Sequence, residues 1–269
     1  MRRHLLLVIW CFLGAMSVFA HPAAITIQKR KNHSIYFAWG YNKDWFSHSS
    51  IHFKSAAASD APYDFSWEKV RAEDAPNFNH LFTCNISIPQ YVYRLGYILN
   101  AEKGIGIEFA FDHAKYIVDQ NQLIHIKGTI NHKFYDEYTV FTKDSMHFEH
   151  TNGANFAMIN AFREKSVYTN SNGKFSIAYL LKAGAGAVIP KTDVTLFGKR
   201  LDNQFHIAGY VLGAETGAIF TFWDRIFISP SFKLAFANYR NALTVDVGHA
   251  QHHFYAYELI LVAGYKVNI

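Results

Sequence analysis

The chain has 269 residues, a formal charge of +5 and two cysteines, one of them inside a leader-like start. So mild a charge excludes a nucleic-acid platform, and a single remaining cysteine, Cys84, excludes an internal disulfide or a thiolate metal centre. Aromatic and charged residues each make 17% of the sequence, whereas soluble domains carry about 25% charge.

The first twenty residues read as a cleaved secretory signal. Arg2 and Arg3 supply the positive start, Leu5 to Met16 the apolar run, and Val18-Phe19-Ala20 the small residues of a cleavage site. The apolar run is shorter than the roughly 20 residues of a spanning helix. Cys11 follows Trp10 rather than a small residue, so no lipid attachment is expected there. Residues 21–269 read as one domain.

Period-two alternation then recurs along the chain and predicts eight strands. His33 to Trp45 is the first, with Ile35, Phe37, Trp39 and Tyr41 on one face. Ser47 to Ile88 is a very long connection. Pro89 to Leu99 is the second strand and Ile105 to Val118 the third, joined by the tight Asn100–Gly104 turn. After the long Asp119–His147 stretch, Phe148 to Tyr168 is the fourth. Thr169–Gly173 turns it into the fifth, Lys174 to Ile189. Pro190–Gln204 leads to the sixth, Phe205 to Thr221. Phe222-Trp223-Asp224-Arg225 turns into the seventh, Ile226 to Tyr239. Arg240–Gln251 leads to the eighth, His252 to Val267.

Short and long connections therefore alternate strictly. That is the habit of outer-membrane barrels, with short periplasmic turns and long extracellular loops. A β-sandwich imposes no such alternation. The sequence thus predicts an all-β protein: a closed antiparallel transmembrane barrel of about eight strands with both termini periplasmic. Several strands exceed the 9–11 residues that cross a bilayer, and their surplus is expected to project above it. Aromatic rings near the turns (Tyr97, Phe222, Trp223, Tyr265, Tyr168) and near the long connections (Trp39, Tyr41, Trp45, Tyr91, Tyr116, Tyr239) fit two interfacial girdles.

The face opposite the aromatic one carries charge and small residues. Arg94, Lys182 and Lys233 oppose Glu108, Asp112, Glu215 and Glu258. A lumen of eight strands is just wide enough for side chains to fill, and buried charges there must pair. A plugged, charge-paired lumen is expected, and a narrow porin-like ion path is the alternative. Arg163 has no clear face.

Other candidates sit in the connections. His113 and Lys115 fall on the outward face near the top of the third strand, where they suit a lipid headgroup phosphate. Tyr63, Phe65 and Trp67 suit an extracellular recognition surface or a dock for a larger envelope complex. His147 with His150, and His249 with His252 and His253, carry metal-ligand chemistry. Residues three apart on a strand point to opposite faces, so no metal or other cofactor is expected. Ser47, His48, Ser49, Ser50 and His52, or Asp112 with His113, supply the residue types of an acyl hydrolase or transferase acting on lipid A. No hydrolase motif is present, and no catalytic residue is assigned.

The chain resembles, over nearly its whole mature length, a family of uncharacterised outer-membrane barrel proteins of Bacteroidota-type bacteria. The stretches that carry the resemblance are Trp39-Gly40-Tyr41-Asn42, Ser50-Ile51-His52-Phe53, Tyr63-Asp64-Phe65, Ile88-Pro89-Gln90 and Phe111-Asp112-His113-Ala114-Lys115-Tyr116. Glu149-His150-Thr151-Asn152-Gly153-Ala154-Asn155-Phe156 and Ala183 to Val194 extend it. The chain ends in Asn268-Ile269 rather than in the terminal aromatic common among such barrels. The resemblance implies a Gram-negative outer-membrane location and a barrel, and no activity. Outer-membrane lipids and lipopolysaccharide are the expected partners, and the expected role is structural or one of binding at the envelope.

Overall fold

A computed structural model describes residues 33–56, 59–75, 90–140, 142 and 145–269. The leader at 1–20 and Cys84 lie outside the described residues. Among the described residues, every regular element is a β-strand. The chain opens with β1 (Ser34–Phe46), β2 (Ser49–Lys54), β3 (Tyr63–Val70) and β4 (Ala72–Glu73). It continues with β5 (Tyr91–Asn100), β6 (Ile105–Asp112), β7 (Tyr116–Val118), β8 (Leu123–Ile130) and β9 (Lys133–Val140). Next come β10 (Met146–His150), β11 (Ala154–Thr169), β12 (Phe175–Pro190), β13 (Asp193–Leu196) and β14 (Lys199–Asp202). β15 (Gly209–Phe222), β16 (Ile226–Thr244) and β17 (Gly248–Asn268) complete it.

Eight of these strands are the predicted ones. They pair antiparallel in the order β1-β5-β6-β11-β12-β15-β16-β17, and β1 also pairs with β17 along its whole length, Ser34 opposite Asn268 to Phe46 opposite Ala256. The pairing thus returns to its start. The tight connections follow from local chemistry. Trp223 and Asp224 both have positive φ, 51° and 59°, the backbone of a two-residue hairpin whose twist matches its strands. Gly104 also has positive φ, and a Cβ there would meet the Glu164 carbonyl at 1.9 Å.

Burial alternates around the ring. Ile107, Phe109, Ile159, Leu181, Leu212, Phe232, Leu259 and Leu261 are exposed on its outside, while Arg94, Glu108, Asp112, Lys182, Lys233 and Glu258 are buried inside it. A soluble sheet distributes these residue types the other way.

The eight-strand count needs correction, because the long connections are not loops. They supply seven further strands, and breaks in the expected third and fourth strands give two more, β7 and β10. β2, β3, β8 and β9 extend the main sheet from β17, making it twelve-stranded, and β14-β13-β10-β7-β4 form a second sheet. The expected third strand ends at Asp112, and Tyr116–Val118 pairs instead with β10 and β4. The expected fourth strand is likewise split: β10 ends at His150, and Gly153 takes a φ of +131° before β11 begins.

These nine strands make a head on the side away from the tight turns. Its two sheets share an aromatic core. Phe53 packs against Phe65, Trp67 and, from the other sheet, Phe148, with centroids 5.1, 4.7 and 5.5 Å away. Phe46 meets Tyr116 at 5.2 Å across the same seam. Such rings bury large apolar areas, and the head closes on a core that it shares with the ring strands, where Phe156, Tyr239 and Phe254 join it.

Candidate functional site

Inside the ring, inward-facing residues of six strands form a ladder of ion pairs. Lys182 on β12 places Nζ 2.8 Å from both carboxylate oxygens of Glu108 on β6, and 3.3 Å from Glu215 on β15. Tyr36 donates to Glu108 at 2.6 Å and Asn160 at 3.3 Å. Arg94 on β5 pairs with Asp112 and stands 3.7 Å from Glu108 and 3.8 Å from Glu215. Lys233 on β16 pairs with Asp112 and lies 3.0 Å from Glu258 on β17. Ser231 donates to Glu215 at 2.7 Å.

The structure therefore brings together all seven charged residues that the sequence assigns to the lumen. Isolated, each would cost several kcal/mol to bury; linked, each charge finds an opposite partner. Arg163 is exposed and stays outside the ladder. Toward the turns, Tyr36, Arg94, Glu108, Lys182 and Phe227 border a cavity of about 30 Å³, room for one or two waters.

The ladder continues toward the head through residues that the sequence reading passed over. Asn42 donates to both carboxylate oxygens of Asp44 at 3.1 Å and reaches Glu258 at 3.5 Å. Gln90 donates to Asp44 at 3.0 Å. The alternation of β1 puts Asn42 and Asp44 on the inner face, a signal present in the sequence.

In the head, two histidines from separate predicted clusters converge. His150 Nε2 and His252 Nε2 are 3.1 Å apart, and both rings are buried. His150 Nδ1 meets the Thr192 hydroxyl at 3.1 Å, and His252 Nδ1 meets Ser49 at 3.4 Å. Tyr239 stacks on both. Burial, followed by the charge of His206, depresses the His150 imidazole to about 3. The other metal candidates stand apart: His147 pairs with Glu149 at 2.8 Å, His249 lies level with Lys54, and His253 packs near Phe236. Among the described residues, no three His, Cys, Asp or Glu side chains converge on one point.

Three surface assignments are corrected. Tyr63, Phe65 and Trp67 are 2%, 1% and 1% exposed. They are core, not a recognition surface, because the face they share on β3 closes against the second sheet. His113 is buried, stacked on Tyr91 at 4.7 Å and bonded to Asn155 at 2.7 Å, and burial lowers its affinity for a proton. It has neither exposure nor charge for a phosphate. Lys115 is engaged with the Ala75 carbonyl at 3.2 Å. Tyr116 and Tyr239 belong to the head core rather than to an aromatic girdle, whereas Trp45, Trp223, Tyr168 and Tyr265 are exposed.

On the head's outer face, cross-strand register builds a charge lattice that linear sequence does not display. Asp64 accepts from His52 at 2.7 Å and pairs with Lys54 at 2.9 Å. His125 bridges Asp136 at 2.6 Å and Glu68 at 2.9 Å, and these two carboxylates raise its proton affinity.

No family model matches the chain, and no curated protein matches it. Solved structures do. The outer membrane protein OprG of Pseudomonas aeruginosa aligns at a TM-score of 0.40 and 11% identity, over 89% of this chain and 98% of that one. Neisserial surface protein A aligns at 0.34 and 13%, over 87% and 97%. The outer membrane protease OmpT of Escherichia coli aligns at 0.36 and 9%, over 92% and 100%. With scores this low, the architecture rests on the strand pairings themselves.

Proposed function

We propose that the chain is an integral outer-membrane protein, a closed eight-stranded barrel whose lumen is plugged by paired charges. Above the barrel it presents a folded β head at the cell surface. The carrying observation is the inversion of burial around the ring: leucine, isoleucine and phenylalanine outside, arginine, lysine, glutamate and aspartate inside. Only hydrocarbon rewards that arrangement. The role it supports is structural or one of binding at the envelope. The head's exposed lattice of His52, Asp64, His125 and Asp136 is the surface it offers to a partner, and lipopolysaccharide and membrane lipids surround the ring.

A conducting pore is disfavoured by the continuous ladder and the small cavity. An acyl hydrolase is disfavoured because Ser49, which contacts His252, is 3% exposed. Two measurements test the reading. Protease added to intact cells is expected to reach the head but not the turns near Trp223. Planar bilayers containing the purified chain are expected to show no steady conductance. Cleavage at the turns, or a stable unitary current, would overturn it.

A further inference from the structure

The ring closes on itself, but the sheet that branches from it into the head does not. That branch leaves β17 through β2, β3 and β8 and ends at β9, which among the described residues pairs with β8 alone. β9 is eight residues long, has no proline, and keeps one unbroken register from Lys133 to Val140. Proteins commonly protect such an edge with a bulge, a proline or a covering loop, because its unpaired N–H and C=O groups accept another strand. This edge also exposes Phe134, Tyr138 and Val140, at 62%, 68% and 50%.

The backbone decides which residues of β9 meet a newcomer. Asn131 and His132 both have positive φ, the two-residue turn whose flanking residues, Ile130 and Lys133, exchange both hydrogen bonds. The Asn131 N–H correspondingly turns to the other neighbour and donates to the Pro62 carbonyl. Hydrogen bonding alternates along a strand. Lys133, Tyr135, Glu137 and Thr139 therefore bond toward β8, and Phe134, Asp136, Tyr138 and Val140 toward the free edge.

Two copies of β9 related by a two-fold axis can then pair only in registers centred on a residue. Centring on Asp136 or on Glu137 sets like charges directly opposite, which is destabilising. Centring on Phe134 or on Tyr138 shortens the overlap and brings no lysine opposite an acid. Centring on Tyr135 places Lys133 of each copy opposite Glu137 of the other. Both residues are exposed, and among the described residues no ion pair within the chain engages either.

We propose that β9 is a self-pairing edge: a second copy of this chain adds its own β9 antiparallel, centred on Tyr135, and two Lys133–Glu137 ion pairs join the heads into a dimer. A charge at a sheet edge ordinarily wards off other strands. Four residues apart and opposite in sign, these two admit this strand in this one register. Phe134 and Tyr138 of the two copies then lie diagonal to one another, within reach of aromatic rings. The dimer adds a partner to the envelope reading and does not depend on it.

The test uses the full mature chain in zwitterionic detergent, which covers the ring in every sample. Sedimentation velocity is expected to show a concentration-dependent equilibrium of monomer and dimer. Lys133→Glu and Glu137→Lys are each expected to weaken the dimer by roughly tenfold or more, and the double variant to restore it. In a Cys84→Ser background, Tyr135→Cys is expected to form a disulfide-linked dimer on oxidation, since residues of a non-hydrogen-bonded pair lie about 4.5 Å apart at Cα, within disulfide reach. Glu137→Cys alone is expected to stay unlinked, and to link when mixed with Lys133→Cys. That mixture tests the register even if the Tyr135 variant does not fold. A wild-type chain that stays monomeric at every concentration overturns the proposal and leaves the edge to a strand of a different protein. So does a dimer indifferent to the charge reversals, or a Glu137→Cys chain that links to itself as fast as Tyr135→Cys does.

Discussion

Lys182 Nζ stands 2.8 Å from each carboxylate oxygen of Glu108, although the residues are 74 positions apart in the chain. They meet because β11 lies between their strands, and both residues occupy inward positions of one continuous register. Lys182 is level with Phe162, and Glu108 is level with Asn160.

This pair gives the first prediction. Lys182→Met leaves Glu108 buried beside Tyr36, Asn160 and a more distant Arg94, and is expected to cost about 3–5 kcal/mol. The double variant Lys182→Met with Glu108→Leu is expected to recover much of that loss, since both charges then go together. Urea unfolding in lipid vesicles, followed by tryptophan fluorescence, supplies the cycle. Additive losses would mean that the two residues do not interact.

The outer face gives the second. Leu261 lies on the outward face of β17, opposite Tyr41, and is 57% exposed. Leu261→Arg is expected to destabilise the vesicle-inserted protein by up to about 2–4 kcal/mol, the penalty for a cation placed in hydrocarbon. In a protein wetted by water the same change is close to neutral. Unfolding midpoints in vesicles decide between them.

The head gives the third. Trp67 is 1% exposed and packs on Phe53 at 4.7 Å. Trp67→Ala is expected to cost about 3–5 kcal/mol. The loss is expected to be greatest in the head, because the ladder of ion pairs holds the ring below this core. Limited proteolysis should therefore cut first within β2–β4 and β7–β9 while the ring strands resist. Equal resistance of both parts would contradict a head that loosens before the ring.

That head marks the limit of what the sequence made legible. The ring was readable because its strands run 8 to 21 residues and alternate between two solvents, and the seven lumen charges fall on the inner face by that alternation alone. The head strands are shorter, down to two residues in β4. Tyr63, Phe65 and Trp67 alternate as clearly as any ring strand does, yet only the register of β2, β3 and β8 shows that their face is covered. The meeting of His150 with His252 depends on how the two sheets pack, which no local pattern encodes. Asp44 was visible as an inward residue, but its depth was not.

Proton linkage gives the fourth prediction. An unfolded imidazole gains its proton near pH 6.5, whereas folded His150 resists protonation down to about 3. Between those values the unfolded chain binds more protons, so stability falls as pH drops, by up to about 1.4 kcal/mol per unit. His125 has the opposite shift: Asp136 and Glu68 raise it, so its contribution is complete below pH 6.5 and is lost as pH rises through its folded value. Head unfolding followed from pH 6.5 to 5 therefore isolates His150 from His125. A midpoint that holds or rises as pH falls through that window would contradict a neutral buried imidazole.

The most direct measurement on the whole account is the behaviour of the purified mature chain when detergent is withdrawn. A ring whose exposed surface is leucine, isoleucine and phenylalanine is expected to precipitate or associate in water, and to refold into a heat-modifiable monomer when lipid or detergent returns. A chain that remains monomeric and soluble in plain buffer would show that water, not hydrocarbon, covers the outside of the ring.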